Sequence, residues 1–207
     1  MNREIIEAFL LSKEELLILL QIAGCRSWYG FYIEEYPISE EDAIKIIYRM
    51  VEKGFLYSDG EVLHVNKDLS EAVKVFKSAN EVLLLEDVDN DLPMYCCYIS
   101  EKVLVCEWMS QRKDTVKFKV CEKNDLYRLI EDEGYFQQYR SFVGELHENP
   151  SGRLLSKIFN RYADNEYRIF YEEDGSEKIM NFDSEWIKEY LMNVLNKEGK
   201  KLDWSSL

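Results

Sequence analysis

VLLLEDVDNDLPMYCCYISEKVLVCEWMSQRKDTVKFKVC, residues 82–121, has the pattern of a β-sheet. It holds four short runs, VLLLEDV, PMYCCYI, KVLVCEWM and TVKFKVC, each apolar and separated from the next by polar residues and proline. Runs of this length between turn residues read as strands, and short connections pair them antiparallel. In the last run Val116, Phe118 and Val120 alternate with Lys117 and Lys119, which leaves one face wet. The sequence thus predicts an α+β protein built on an antiparallel sheet with packed helices.

Working back from the sheet, GFLYSDGEVLHVN places Asp59-Gly60 between apolar residues, the strongest short-range sign of a β-hairpin. A helix follows from Asp68 or Ser70, with Leu69, Ala72, Val73 and Phe76 at helical spacing. Before the hairpin, Ser39 caps a helix that carries Glu40, Glu41 and Asp42 at its positive end and stops at Gly54. Ala43, Ile44, Ile47, Tyr48, Met50 and Val51 trace its apolar face. Earlier still, Ser12 and Glu15 form a capping box for a helix ending near Gly24, whose Leu16, Leu17, Ile18, Leu19, Leu20 and Ile22 place it in the core. Ile5 to Leu11 is extended.

Working forward, a helix runs from about Asn124 to Glu133, and Gly144 to Gly152 reads as a connection. Leu154, Leu155, Ile158, Phe159 and Tyr162 then predict an amphipathic helix. YRIFYEEDGSEKIMNF is a second hairpin around Asp174-Gly175. Asp183 or Ser184 caps a last helix with a stripe of Trp186, Ile187, Tyr190, Leu191, Val194 and Leu195. The chain reads as a single α/β domain, 1–207. Asp59, Gly60 and Asp68 recur at a common offset as Asp174, Gly175 and Asp183, which suggests two similar halves, 1–110 and 111–207.

With 40 acidic against 26 basic residues the formal charge is −14, the wrong sign for nucleic acid or an anionic membrane surface. No apolar stretch approaches the about 20 residues that cross a bilayer, and MNREIIEAF lacks the features of a signal peptide. A cytoplasmic location is expected. Cys25, Cys96, Cys97, Cys106 and Cys121 are an odd set, and the last four lie in strand-like runs where a thiol packs as a small hydrophobe. Cys96 and Cys97, as neighbours on a strand, point to opposite faces and cannot converge on one ligand.

His64 lies in the hairpin strand and His147 in the polar connection GELHENP, neither with metal-ligand spacing. No nucleophile elbow or phosphate-binding glycine motif occurs, so no catalytic residue, cofactor site or metal site is assigned, and the chain is not expected to be an enzyme. The run Glu86, Asp87, Asp89, Asp91 lacks the glycine and glutamate of a calcium loop and reads as a solvated turn. Arg153, Lys157 and Arg161, four apart, form a basic line that reads as the wet face of the predicted helix. Trp28, Tyr29, Phe31 and Tyr32 cluster without helical spacing. They either fill the core, the commoner fate of aromatics, or form a patch that binds a partner. The segment 39–66 also fits a winged-helix outline, but its SEEDAIKIIYRMVEK helix begins with three acids and does not suit DNA.

The order of LSKEELLILLQIAG, ISEEDAIKIIYRMVEKGFL, DGEVLHVNKDLSEAVKVF and VLLLE resembles the EspG family of type VII (ESX) secretion chaperones. The matching pieces are Leu11, Ser12 and Glu15, then Gly54 and Leu56, then Asp59 and Gly60, then Leu69 to Phe76. The resemblance covers about the first 110 residues and the rest in outline. It implies cytosolic binding of helical-hairpin secretion substrates, which are kept soluble for export. The alternative is an acidic immunity protein that neutralises a basic toxin, for which the charge is suited.

Overall fold

The computed structural model describes residues 8–25, 29–30, 38–89, 92–108, 114–173 and 176–196. Strand β1 (Phe9–Ser12) runs straight into helix α1 (Lys13–Ile22) through the expected capping box. The Ser12 hydroxyl accepts from the Glu15 N–H at 3.2 Å, and the Glu15 carboxylate accepts from the Ser12 N–H at 2.9 Å. Helix α2 (Glu40–Glu52) starts at Ser39, whose hydroxyl accepts from the Asp42 N–H. Just past its end, Lys53 bonds both oxygens of buried Glu15, at 2.7 and 2.8 Å, and so ties the end of α2 to the start of α1.

Strands β2 (Leu56–Ser58) and β3 (Leu63–Val65) form the expected hairpin, a small sheet of its own. The Asp59 carboxylate accepts the N–H groups of Glu61 and Val62, and Gly60 takes a positive φ of 102°. Helix α3 (Lys67–Ser78) begins earlier than expected. Asn66, not Asp68 or Ser70, is its cap, its side chain accepting from the Asp68 N–H at 2.9 Å.

Strands β4 (Glu81–Asp87), β5 (Met94–Ile99), β6 (Val103–Trp108) and β7 (Thr115–Cys121) follow as expected, each antiparallel to the next. After α4 (Lys123–Asp132) come β8 (Phe142–Glu148), β9 (Leu154–Ala163), β10 (Glu166–Glu173), β11 (Ser176–Asn181) and α5 (Ser184–Asn196). Among the described residues nine strands make one antiparallel sheet in the order β1-β7-β6-β5-β4-β8-β9-β10-β11. The fold is α+β, a large sheet with helices packed on it. The second hairpin is β10–β11, paired up to Glu173 opposite Ser176, and Asp174-Gly175 lies outside the described residues. Asp183 caps α5, accepting from the N–H groups of Glu185 and Trp186.

Two sequence readings are overturned. Residues 154–163 are strand β9, not a helix, because β8 and β10 flank them and take up their backbone groups. Most of the expected connection from Gly144 to Gly152 is likewise strand, and His147 sits buried in β8 rather than in a polar loop. Gly144 belongs in that strand for a packing reason: a Cβ there would stand 3.1 Å from the Ile158 side chain on β9.

The sheet separates two cores. On the front, Leu16, Leu19 and Leu20 of α1, Ile46 and Met50 of α2, and Leu69 and Phe76 of α3 pack on Val82, Cys96, Tyr98, Leu104, Cys106 and Phe118. On the back, Leu126 and Ile130 of α4 and Ile187, Leu191, Val194 and Leu195 of α5 pack on Leu83, Leu85, Tyr95, Cys97, Val105 and Phe142. Cys96 and Cys97 fall in opposite cores, as strand alternation requires.

Candidate partner-binding surface

On α2 the apolar residues do two jobs. Ile46 and Met50 are buried in the front core, and Ala43 and Ile47 pack against its margin. Ile44, Tyr48 and Val51 instead face solvent, 49%, 69% and 39% exposed. At 100° per residue the apolar positions of this helix span about 200°, wider than the stripe of about 100° that a core contact covers. The sequence pattern therefore held a signal that one continuous face missed. The outer residues stand at i, i+4 and i+7, which is one ridge of a helix and the spacing by which helices anchor on one another.

Of the predicted aromatic cluster, Tyr29 is described, while Trp28, Phe31 and Tyr32 lie outside the described residues. Tyr29 is half-buried and fixed at four points. Its N–H donates to the Asn149 side chain at 3.0 Å, and its carbonyl accepts from the Tyr98 hydroxyl at 2.6 Å. Its ring lies 4.7 Å from that of His147 and fills the space where a Cβ on Gly152 would fall, 2.6 Å from the ring. Gly30, with φ at 117°, brings the backbone so close to the sheet that a Cβ would meet the Cys96 sulfur at 2.5 Å and Val82 at 3.0 Å. Residues 29–30 thus lie on the front face of the sheet, beside β4, β5 and β8.

The front face continues outward from that anchor, because residues opposite one another on paired strands share a face. Val82 stands opposite His147, and Leu84 opposite Glu145. Glu145 stands opposite Lys157, and its carboxylate takes a hydrogen bond from Lys157 at 2.5 Å and faces the His147 Nε2 at 3.1 Å. The Lys157 bond, seconded by the His147 contact, holds the Glu145 carboxyl below its ordinary value. One step along, Val143, Phe159, Phe170 and Ile179 form a row across β8 to β11. The Phe159 and Phe170 rings stack at 4.8 Å, with the Arg161 guanidinium 4.3 Å above Phe170.

The predicted basic line survives this change of secondary structure. A spacing of four keeps Lys157 and Arg161 on one side of a strand as it would of a helix. Lys157 is paired with Glu145, Arg161 covers the two rings, and Arg153, just before β9, pairs with Glu148 at 3.2 Å. The acidic run 86–91 departs from a fully solvated turn. Asp87 is buried, accepts the Asp89 N–H at 2.6 Å and faces Arg140 at 3.5 Å.

Burial raises the thiols of Cys96 and Cys121 to about 12, which suits packing rather than nucleophilic chemistry. His64 contacts the Asp59 carboxylate at 2.8 Å and stacks on Tyr57, within the small hairpin. Among the described residues no group of three or more His, Cys, Asp or Glu is placed to hold a metal, and no helix is long and apolar enough to cross a membrane.

No family model and no curated protein sequence matches the chain. Its fold is similar to that of the Mycobacterium tuberculosis type VII secretion system chaperone EspG5, solved in complex with a PE25-PPE41 dimer. The TM-score is 0.60 at 9% identity, over 91% of this chain and 96% of that one. At so low an identity the likeness is one of fold. It extends across both the front and back layers, well beyond the first 110 residues that carried the sequence resemblance.

Proposed function

We propose that this chain is a cytoplasmic chaperone or adaptor that binds a helical secretion substrate of a type VII-like system, and that it acts by binding alone, without catalysis, cofactor or metal. The observation that carries this reading is the fold likeness over nearly the whole of both chains to a secretion chaperone solved with a protein dimer bound. The outer ridge of α2 supplies a contact of the right kind. Ile44, Tyr48 and Val51 offer an apolar row to a helix of the client, which would otherwise expose its own apolar face. Trp28, Phe31 and Tyr32, chain neighbours of the anchored Tyr29, contribute further aromatic contacts.

The test is titration of the purified chain with a purified helical-hairpin secreted protein encoded beside it, at low and raised salt. Binding through buried side chains gives an affinity that changes little with salt, and Tyr48→Ala weakens it by about tenfold or more. A partner that is a basic toxin, with association rates falling steeply as salt rises, would replace this reading with the immunity one.

A further inference from the structure

Strand β11 is an edge of the large sheet. It pairs with β10 over six residues without a shift of register, and among the described residues no strand lies on its other side. Which of its backbone groups point outward follows from the neighbouring turn. Strands β9 and β10 are joined by Asp164 and Asn165, both at positive φ, 53° and 70°, the geometry of a two-residue hairpin turn. The flanking pair, Ala163 and Glu166, therefore exchanges backbone hydrogen bonds. Alternation along the strand then directs Glu166, Arg168 and Phe170 toward β9, and Ile169 and Tyr171 toward β11. Their partners there are Met180 and Lys178. It follows that Glu177, Ile179 and Asn181 turn their N–H and C=O groups outward, away from β10.

Ile179 also ends the apolar row on the front face. Phe170, its neighbour in register, is 5% exposed, whereas Ile179 is 57% exposed. We propose that β11 pairs antiparallel with β11 of a second copy of this chain, about a two-fold axis at Ile179, so that one sheet runs through the dimer. In this register Ile179 faces Ile179 of the second copy, Glu177 faces Asn181, and Lys178 faces Met180. Every outward N–H and C=O of Glu177, Ile179 and Asn181 gains a partner, which removes the exposed edge. The row Val143, Phe159, Phe170, Ile179 continues into its own symmetric copy.

Like charges disfavour the registers on one side of this one, and an axis at Met180 would pair only Ile179 to Asn181, three residues of the strand against five here. An axis at Lys178 sets two lysines opposite each other, and an axis at Glu177 sets two carboxylates opposite, both unfavourable. With the axis at Ile179, the like-charged pair Glu172 and Glu177 of one copy meets Asn181 of the other, with Arg168 one strand behind. The net charge of −14 on each copy opposes association, so the dimer tightens as moderate salt screens it.

The test is the solution mass of the purified chain by light scattering and sedimentation, at low and moderate salt. The wild type runs at twice the chain mass, and Ile179→Lys runs at the chain mass with an unchanged circular dichroism spectrum, since the side chain it replaces is exposed. In a Cys25→Ser background, Ile179→Cys forms a disulfide between copies on mild oxidation, because bonded antiparallel pairs stand about 5.5 Å apart at Cα, within disulfide range. This cross-link decides the matter even if Ile179→Lys fails to fold. A wild type that stays at the chain mass at every concentration, a dimer untouched by Ile179→Lys, or an Ile179→Cys chain that does not cross-link would each overturn the proposal.

Discussion

The Tyr98 hydroxyl donates to the backbone carbonyl of Tyr29 at 2.6 Å, fastening a segment between two helices to the middle of the sheet. Tyr95, three residues earlier on the same strand, faces the other core, is fully buried, and its hydroxyl finds no protein partner among the described residues. The two hydroxyls should therefore respond oppositely to removal. Tyr98→Phe is expected to cost about 1–2 kcal/mol, since it strips a carbonyl of its donor. Tyr95→Phe is expected to be neutral or mildly stabilising, since it removes a buried polar atom that gains nothing from folding. Urea unfolding of both variants checks this, and equal losses would contradict it.

Gly30 is expected to tolerate no side chain. A Cβ would overlap the Cys96 sulfur at 2.5 Å, in a backbone conformation with φ at 117° that L residues rarely adopt. Gly30→Ala should destabilise the fold by about 1–3 kcal/mol. Adding Cys96→Ala should restore only part of the loss, because the overlap is relieved and the backbone strain is not. Full rescue by the double change, read from thermal unfolding, would show that the φ value contributes nothing.

Acid stability should carry a contribution from Glu145. The hydrogen bond from Lys157, and then the His147 contact, depress its folded-state carboxyl below the ordinary 4.5. A depressed carboxyl stabilises the fold above its unfolded value, and that stabilisation drains away as pH falls below about 4.5 and through the folded value. Glu145→Gln should therefore lower stability at neutral pH and flatten the decline between neutral pH and pH about 3. Unfolding free energies of the two proteins across that range give the comparison, with parallel curves counting against it.

Where side-chain chemistry was local, the sequence was legible. Ser12 with Glu15, Ser39 with Gly54, and Asp183 each mark a helix end by hydrogen bonds made within a few residues. The alternation through Val116, Phe118 and Val120 reports a strand directly. Residues 154–163 misled because Leu154, Leu155, Ile158, Phe159 and Tyr162 fit a helical period, while the strands that claim them lie outside the segment. The signal available was Asp164-Asn165, a two-residue turn between NRYA and EYRIF that marks a hairpin. That β8 would insert beside β4 is a pairing across the whole of β5, β6, β7 and α4, and nothing in either strand encodes it locally.

For the candidate surface, the aromatic cluster was visible as composition, but the anchoring of Tyr29 by Tyr98, Asn149 and His147 depends on residues more than sixty positions away. The α2 ridge was visible in principle. Its seven apolar residues from Ala43 to Val51 are too many for one buried stripe, and only the structure shows Ile46 and Met50 taking the core while Ile44, Tyr48 and Val51 stay outside.

A chain that holds a helical secreted protein in solution, as proposed, should raise the soluble yield of that protein. Each small helical secreted protein encoded beside this gene is expressed alone, with the wild-type chain, and with a chain carrying Tyr48→Glu, and the lysate is passed over a sizing column. One of them is expected to be largely insoluble alone, to become soluble with the wild type and co-elute with it, and to return to the insoluble fraction with the variant. A set of neighbours whose solubility and elution are the same with and without the wild-type chain would contradict it.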